Sequence, residues 1–206
     1  SLAIEMVHTY SLIHDDLPTL DNDKIRRGKP TNHIIFGEDI ALLAGDALLS
    51  DLWSLISQGF EANHNLNSVN NKLSDSQKID AITILSKAIG SKGMVYGQVL
   101  DIKSTNIING DLDKVYEIHL QKTAKLISAA CSFGAISIGL NSDEILLYSK
   151  FGQDIGISFQ LQDDLLDNSE KTGKTTGKDK SQNKLSCLKF ISEDSCRKKI
   201  KELWFQ

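Results

Sequence analysis

Phe159-Gln160-Leu161-Gln162-Asp163-Asp164-Leu165-Leu166-Asp167 is the stretch whose reading decides the rest of this chain. Asp163 and Asp167 stand four residues apart, about 400° of helical rotation, so they share one face, while Asp164 points about 100° away from Asp163. An acidic helix end facing solvent is a poor alternative, because acids near a C-terminus oppose the macrodipole. Phe159, Leu161, Leu165 and Leu166 also surround the acids with apolar side chains. Carboxylates on such a background are costly to bury unless they bind something, and hard oxygen ligands suit Mg²⁺. Working backward, Asn141 with Glu144 starts a helix that runs through Gln160 to about Asp167.

A second acidic cluster, Asp15-Asp16-Leu17-Pro18-Thr19-Leu20-Asp21, cannot work as one regular helix. Six residues rotate about 600°, which leaves Asp15 and Asp21 roughly 120° apart. Pro18 disfavours helix at Leu17 and lets the chain turn, so Asp21 can swing back towards Asp15. Arg26-Arg27-Gly28-Lys29-Pro30-Thr31 follows, placing anion donors on a turn that Gly28 permits. Lys174 and Lys178 follow the other cluster in the same way. Cations beside a metal site point to a bound polyanion, most simply a diphosphate.

With its only prolines at Pro18 and Pro30, the remaining chain is free to be helical, and its pattern agrees. Ala3, Val7, Tyr10 and His14 recur at helical spacing, and Ile40 to Ile56 is apolar nearly all round, which predicts a central, buried helix. Ser74-Asp75-Ser76-Gln77 reads as a capping box opening a long helix towards Ile102. Leu112 to Ile138 is a further helical pattern, ending at Gly139. Asn-rich Glu61 to Leu73 is expected to be a surface loop, and Asn168 to Lys184 a substrate flap. The prediction is one all-α domain over residues 1–206.

Bulk composition narrows the function. Lys+Arg 23 against Asp+Glu 27 leaves a net charge of -4, with no global basic footprint for nucleic acid. Cys131, Cys187 and Cys196 form no CxxC pair, so reduced, cytosol-type thiols are expected. No run approaches the ~18 apolar residues of a membrane span, so no membrane anchor is expected. The chain opens at Ser1 inside an amphipathic pattern, with no start Met.

Taken in order, the motifs resemble those of the trans-isoprenyl diphosphate synthases (polyprenyl synthetases). Glu5 to Pro18, then Asp21 and Arg26-Arg27-Gly28-Lys29-Pro30-Thr31, is similar to their first aspartate-rich motif. Gly45-Asp46-Ala47-Leu48-Leu49, Gly97-Gln98 with Asp101, Lys122-Thr123, the Phe159–Asp167 stretch, Gly173-Lys174 and Gly177-Lys178-Asp179 follow in family order. The resemblance implies an all-α bundle of long helices around a deep central cavity, the isoprenoid synthase fold. It also implies that isopentenyl diphosphate is joined to an allylic diphosphate, with release of pyrophosphate. Asp15, Asp16, Asp21, Asp163 and Asp167 would hold three Mg²⁺ on the allylic diphosphate, with Arg26, Lys122 and Lys178 completing its anion cage. The Thr123 hydroxyl, the Lys122 carbonyl and the Gln160 side-chain oxygen would face the allylic cation, and His8 and Arg27 would hold isopentenyl diphosphate.

Tyr10, five residues before Asp15, together with the Leu17-Pro18 expansion, is similar to bacterial-type farnesyl diphosphate synthases. It implies a C15 product, with geranylgeranyl (C20) synthesis as the alternative. The family's N-terminal Gly-Lys-x-x-Arg segment does not occur in this sequence, so native helices are expected before Ser1 and closing helices after Gln206. A terpene cyclase is disfavoured by the Asp163–Asp167 motif and by Lys122-Thr123. A non-catalytic subunit is disfavoured by the intact aspartates. A cytosolic homodimer is expected, with an organellar copy as the alternative.

Overall fold

The computed structural model of the protein describes residues 2–59, 74–105, 110–167 and 185–205. Within the described residues the architecture is α-helical, as the periodicity predicts, apart from one two-stranded ribbon. The chain divides into two compact units, Ser1–Ile82 and Thr83–Gln206. The expected surface loop at Glu61–Leu73 and the expected flap at Asn168–Lys184 lie outside the described residues.

In the first unit, α1 (Leu2–Asp15) buries Ala3, Val7 and Tyr10, and α3 (Glu38–Gly59) packs along it. The crossing is close at Gly45, where any side chain would overlap the His14 ring. His14 completes the contact by placing Nε2 3.0 Å from the Leu42 carbonyl. α3 departs from the expectation of a helix buried all round. Ala41, Leu52 and Ile56 are buried, but Ile40, Leu42 and Leu43 are 50%, 46% and 60% exposed. The physical reason is that the helices packed on it among the described residues cover only a stripe at spacings of three and four, not a full circumference. The absence of a span-like run also needs correction, since Glu38–Ser57 is a helix long and apolar enough by length and composition to cross a membrane. Asp46 and Asp51 interrupt that segment, and charges at such depth are costly in a bilayer.

After α1 the ribbon pairs β1 (Ile25–Arg26) with β2 (Lys29–Pro30) in antiparallel register. Its two-residue loop, Arg27-Gly28, has φ of 52° and 74°, the positive-φ pair of a type I′ hairpin. Thr31 ties this ribbon down, since its hydroxyl donates to the Asp23 carbonyl at 2.6 Å and its N–H to the Lys24 carbonyl at 3.0 Å. The short helix α2 (Asn32–Phe36) then leads to α3.

The capping box at Ser74 is present. Its N–H meets Gln77 Oε1 at 2.8 Å, and its hydroxyl accepts from the Gln77 N–H at 3.3 Å. The helix that follows does not reach Ile102. It breaks into α4 (Asp75–Ile89) and α5 (Met94–Ser104), at a turn so tight that a side chain on Gly93 would strike the carbonyls of Lys87 and Ala88.

In the second unit, α6 (Leu112–His119) passes into a π-helical turn, Leu120–Ala124, and then into α7 (Lys125–Ser137). Gly139 follows with φ 78°, so the predicted Leu112–Ile138 helix is one continuous run with a widened turn inside it. α8 (Ser142–Asp167) begins on the predicted Asn141–Glu144 cap, with the Asn141 side chain accepting from the N–H groups of Asp143 and Glu144 at 3.0 Å each. α8 lies across α7 at Gly152 and across the π-turn at Gly156, where a side chain would overlap Ser128 and Ala124 respectively. A 3₁₀ turn (Cys187–Lys189) and α9 (Glu193–Trp204) close a core of Val115, Leu161, Leu165, Leu185, Cys187 and Cys196.

Candidate active site

The first acidic cluster is shaped by backbone hydrogen bonds around Pro18. α1 stops at Asp15, the Leu17 N–H turns to the His14 carbonyl at 3.1 Å, and the Asp21 N–H returns to the Asp15 carbonyl at 2.9 Å. The return of Asp21 towards Asp15, expected from Pro18, is therefore present in the main chain. Leu17, buried at 7% exposure, pins this turn while Pro18, Thr19 and Leu20 face solvent.

The two acids of the Asp15-Asp16 pair part company. Asp16 is only 4% exposed and is gripped by Arg26, whose Nε donates at 2.8 and 3.0 Å while one terminal nitrogen lies 2.6 Å away. This is a two-pronged guanidinium–carboxylate pair. The hydrogen bond that Arg26 donates to Asp16 raises the guanidinium pKa further, outweighing the opposing effect of burial. Arg26 also reaches Asp23 at 3.6 Å. The residues expected from the sequence to serve metal (Asp16) and diphosphate (Arg26) are joined to each other in this structure. Arg27, exposed on the hairpin loop, brings a terminal nitrogen to 3.4 Å from His8 Nε2. The two residues expected to share the second diphosphate are thus neighbours. Tyr10 is buried and sets its ring edge-on to His14, with centroids 5.8 Å apart; burial raises its phenol pKa.

The second acidic cluster, in the other unit, repeats that division. Asp163 and Asp167 share a face one turn apart at the end of α8. Gln160 Nε2 lies 3.4 Å from Asp163 Oδ2, leaving the amide oxygen as the end not bonded to that carboxylate. Asp164 points inward with 9% side-chain exposure and accepts the Cys187 N–H at 2.7 Å. Carboxylate oxygens are the hard donors that Mg²⁺ takes, so Asp15 and Asp21 in one cluster and Asp163 and Asp167 in the other fit that ion. Asp16 and Asp164 are each buried on a protein partner, Arg26 and the Cys187 N–H. Among the described residues, no group of three or more His, Cys, Asp or Glu is gathered as a ready-made metal site.

Lys122 and Thr123 sit in the π-turn, a widened turn of a kind that concentrates at functional sites. Two helices hold it without intervening side chains. Gly97 of α5 lies on the Lys122 backbone, and Gly156 of α8 lies on Ala124. Gly97, visible in the sequence only as part of an ordered motif, is required by this close approach. Asp101, also on α5 and 7% exposed, fixes the Lys122 ammonium at 2.6 Å. Lys178 lies outside the described residues.

Sequence reasoning missed His119. It is 5% exposed, ends α6 just before the π-turn, and places Nε2 3.8 Å from Asp164 Oδ2. Its Nδ1 has no hydrogen-bond partner among the described residues. In sequence it was only a His on an apolar helical face, which carries no signal. Burial lowers its pKa from 6.5, and the charges of Asp164 and Asp101 oppose this without reversing it. A depressed folded-state value means the unfolded chain takes up the proton first as pH falls. The associated stability is therefore present above about pH 6.5 and is lost as pH falls below it. Thermal melts from pH 7.5 to 5.5 are expected to show a falling midpoint that flattens in His119→Gln; an unchanged slope in the variant would assign the loss elsewhere.

These features correspond to known proteins. The polyprenyl synthetase family profile matches residues 1–204. The chain is 45% identical to the Arabidopsis thaliana heterodimeric geranylgeranyl pyrophosphate synthase large subunit 1, chloroplastic, covering 98% of this chain and 53% of that protein. It is 42% identical to the Catharanthus roseus chloroplastic geranylgeranyl pyrophosphate synthase, covering 98% and 54%. Among solved structures, Helicobacter pylori geranyltransferase complexed with magnesium and isoprenyl diphosphate superimposes with a TM-score of 0.79 at 36% identity, covering 98% of this chain and 63% of that one. A farnesyl/geranylfarnesyl diphosphate synthase from Zymomonas mobilis gives 0.80 at 34%, covering 98% and 65%. The chain thus spans about half the length of the curated relatives it matches. With an isoprenoid-synthase-type helical fold and a family match along almost its whole length, this chain belongs to the polyprenyl synthetase family.

Proposed function

We propose that the protein is a trans-prenyl diphosphate synthase, joining isopentenyl diphosphate to an allylic diphosphate with release of pyrophosphate. The observation that carries this is the shared construction of the two acidic clusters. In each, one acid is buried on a protein partner, Asp16 on Arg26 and Asp164 on Cys187. Asp15 with Asp21, joined through the return of the main chain, and Asp163 with Asp167, one helical turn apart, are the carboxylates that would hold Mg²⁺. The bound ion supplies charge neutralisation for the departing diphosphate. Lys122, held out by Asp101, adds a fixed positive charge for the same leaving group. As the C–O bond breaks, its electron pair leaves with pyrophosphate. The Thr123 hydroxyl and the Gln160 oxygen present dipoles to the allylic cation, and neither traps it as a strong nucleophile would. His8 and Arg27, 3.4 Å apart, would hold isopentenyl diphosphate, and the released pyrophosphate takes the final proton. Lys178 retains its proposed place in the anion cage, whereas Arg26 is reassigned to positioning Asp16.

Treating residues 1–206 as one isoprenoid synthase domain belongs to the same proposal, supported by the family match over residues 1–204. The geranylgeranyl synthases among the relatives favour a C20 product over the C15 product expected from Tyr10. Their chloroplastic names favour an organellar location over a cytosolic one. A homodimer is proposed from the family, although the Arabidopsis relative is named as part of a heterodimer.

Incubating the purified protein with Mg²⁺, isopentenyl diphosphate and dimethylallyl diphosphate tests the reading. A prenyl diphosphate product supports it, a cyclic hydrocarbon points to a cyclase, and no turnover by the whole protein points to a non-catalytic subunit. Chain length is tested at Tyr10. Tyr10→Ala is expected to lengthen the product on chromatography, while Tyr10→Phe, which keeps the ring, leaves it unchanged. An unchanged Tyr10→Ala product would remove Tyr10 as the length-setting residue.

A further inference from the structure

Cys187 and Cys196 lie nine residues apart in sequence, yet their sulfurs are 3.4 Å from each other. Both are fully buried. Cys187 opens the 3₁₀ turn that lies against α8, and Cys196 sits in the first turn of α9. A disulfide bond is about 2.05 Å long, so the sulfurs need approach by only about 1.4 Å to bond. Cys187 is also tied to the second acidic cluster, because its N–H donates to Asp164 at 2.7 Å.

We propose that Cys187 and Cys196 form a reversible disulfide that tethers the Cys187–Lys189 turn to α9 and disturbs the anchoring of Asp164. The oxidant is a low-molecular-weight disulfide such as glutathione disulfide. Cys196 attacks first as its thiolate, breaking the oxidant's S–S bond, forming a mixed disulfide and expelling one glutathione thiolate. The Cys187 thiolate then attacks Cys196 Sγ and expels the second glutathione. Two electrons pass from the cysteine sulfurs to the oxidant, and the two thiol protons end on the two glutathiones. The order follows from geometry, since Asp164 beside Cys187 repels a thiolate there. Burial raises both thiol pKa values, so the first step waits on local opening and is slow. A lone buried thiol would stay inert. Here the second sulfur is already in place, which makes the closing step intramolecular.

The cross-link itself is independent of the proposed reaction, and only its catalytic consequence rests on that reading. The test is to treat the native whole protein with glutathione disulfide, block remaining thiols and digest with trypsin. Cleavage after Lys184, Lys189 and Arg197 separates the two cysteines into the peptides 185–189 and 190–197. The expected result is one linked species lighter than the two peptides by two hydrogens. It vanishes with dithiothreitol and in Cys196→Ser, while Cys131 is recovered blocked. Both peptides recovered separately, blocked or carrying glutathione, would overturn the disulfide, as would a link that forms only in denaturant. Turnover of the cross-linked form is expected to fall on the order of 10-fold, the scale of a disturbed outer contact at a metal site. Equal turnover in both forms would overturn the link to Asp164. No turnover in either form would overturn the prenyl-transfer reading and leave the cross-link standing.

Discussion

Asp163→Ala and Asp15→Ala are each expected to lower prenyl transfer on the order of 10³-fold, the upper range for removing one preorganised charge-stabilising group. Asp163 shares a half-buried face of the α8 terminus with Asp167, and Asp15 is the residue to which the Asp21 main chain returns. Each variant removes a ligand oxygen from a pair without emptying a core. The fold is therefore expected to survive, as judged by far-ultraviolet circular dichroism. The informative measurement is a Mg²⁺ titration of initial rate. Asp163→Ala is expected to need much more Mg²⁺, whereas Asp164→Asn, altering an acid occupied by the Cys187 N–H, should leave the Mg²⁺ requirement close to that of the parent. Wild-type turnover in Asp163→Ala would remove the metal role of the second cluster.

Arg26→Gln is expected to produce the largest loss of stability among the site residues. Asp16 is 4% exposed and its carboxylate is met on two sides by Arg26. Removing one partner of a buried pair leaves an uncompensated charge, at about 3–5 kcal/mol. Denaturant unfolding should show that loss, and Arg26→Gln/Asp16→Asn should recover much of it, because the double variant buries no lone charge. Arg26 as a diphosphate ligand predicts otherwise, namely near-native stability and a raised substrate KM. Additive losses in the double variant would show that the pair is not the source of the effect.

Much of this architecture was legible locally. The Ser74 and Asn141 caps were readable because a side chain three residues on completes each of them, and Pro18 announced the end of α1 and the return of Asp21. Gly139 marked the end of the helical run from Leu112. The division at Gly90–Gly93 was not legible, because two glycines inside an otherwise helical pattern do not say whether the helix continues or breaks. α3 misled for a related reason: apolar residues all around a helix describe what it can bury, not what its neighbours cover. His119 was silent, since its isolation is a property of the packing of α5, α6 and α8 rather than of adjacent residues.

The sequence by itself determined which residue types are present, the helical period that groups Asp163 with Asp167, and the order of motifs that places the chain in its family. Only the tertiary structure decided which acid of each adjacent pair turns inward. That choice depends on Arg26, ten residues from Asp16, and on the Cys187 N–H, 23 residues from Asp164. It likewise decided that Lys122 rests on Asp101, 21 residues away, and that two cysteines with no motif spacing meet sulfur to sulfur. Helical period and capping are settled within one or two turns of chain, so the sequence carries them. Burial and partner choice are settled by which distant segments exclude water from a given side chain, and that exists only once the helices have packed.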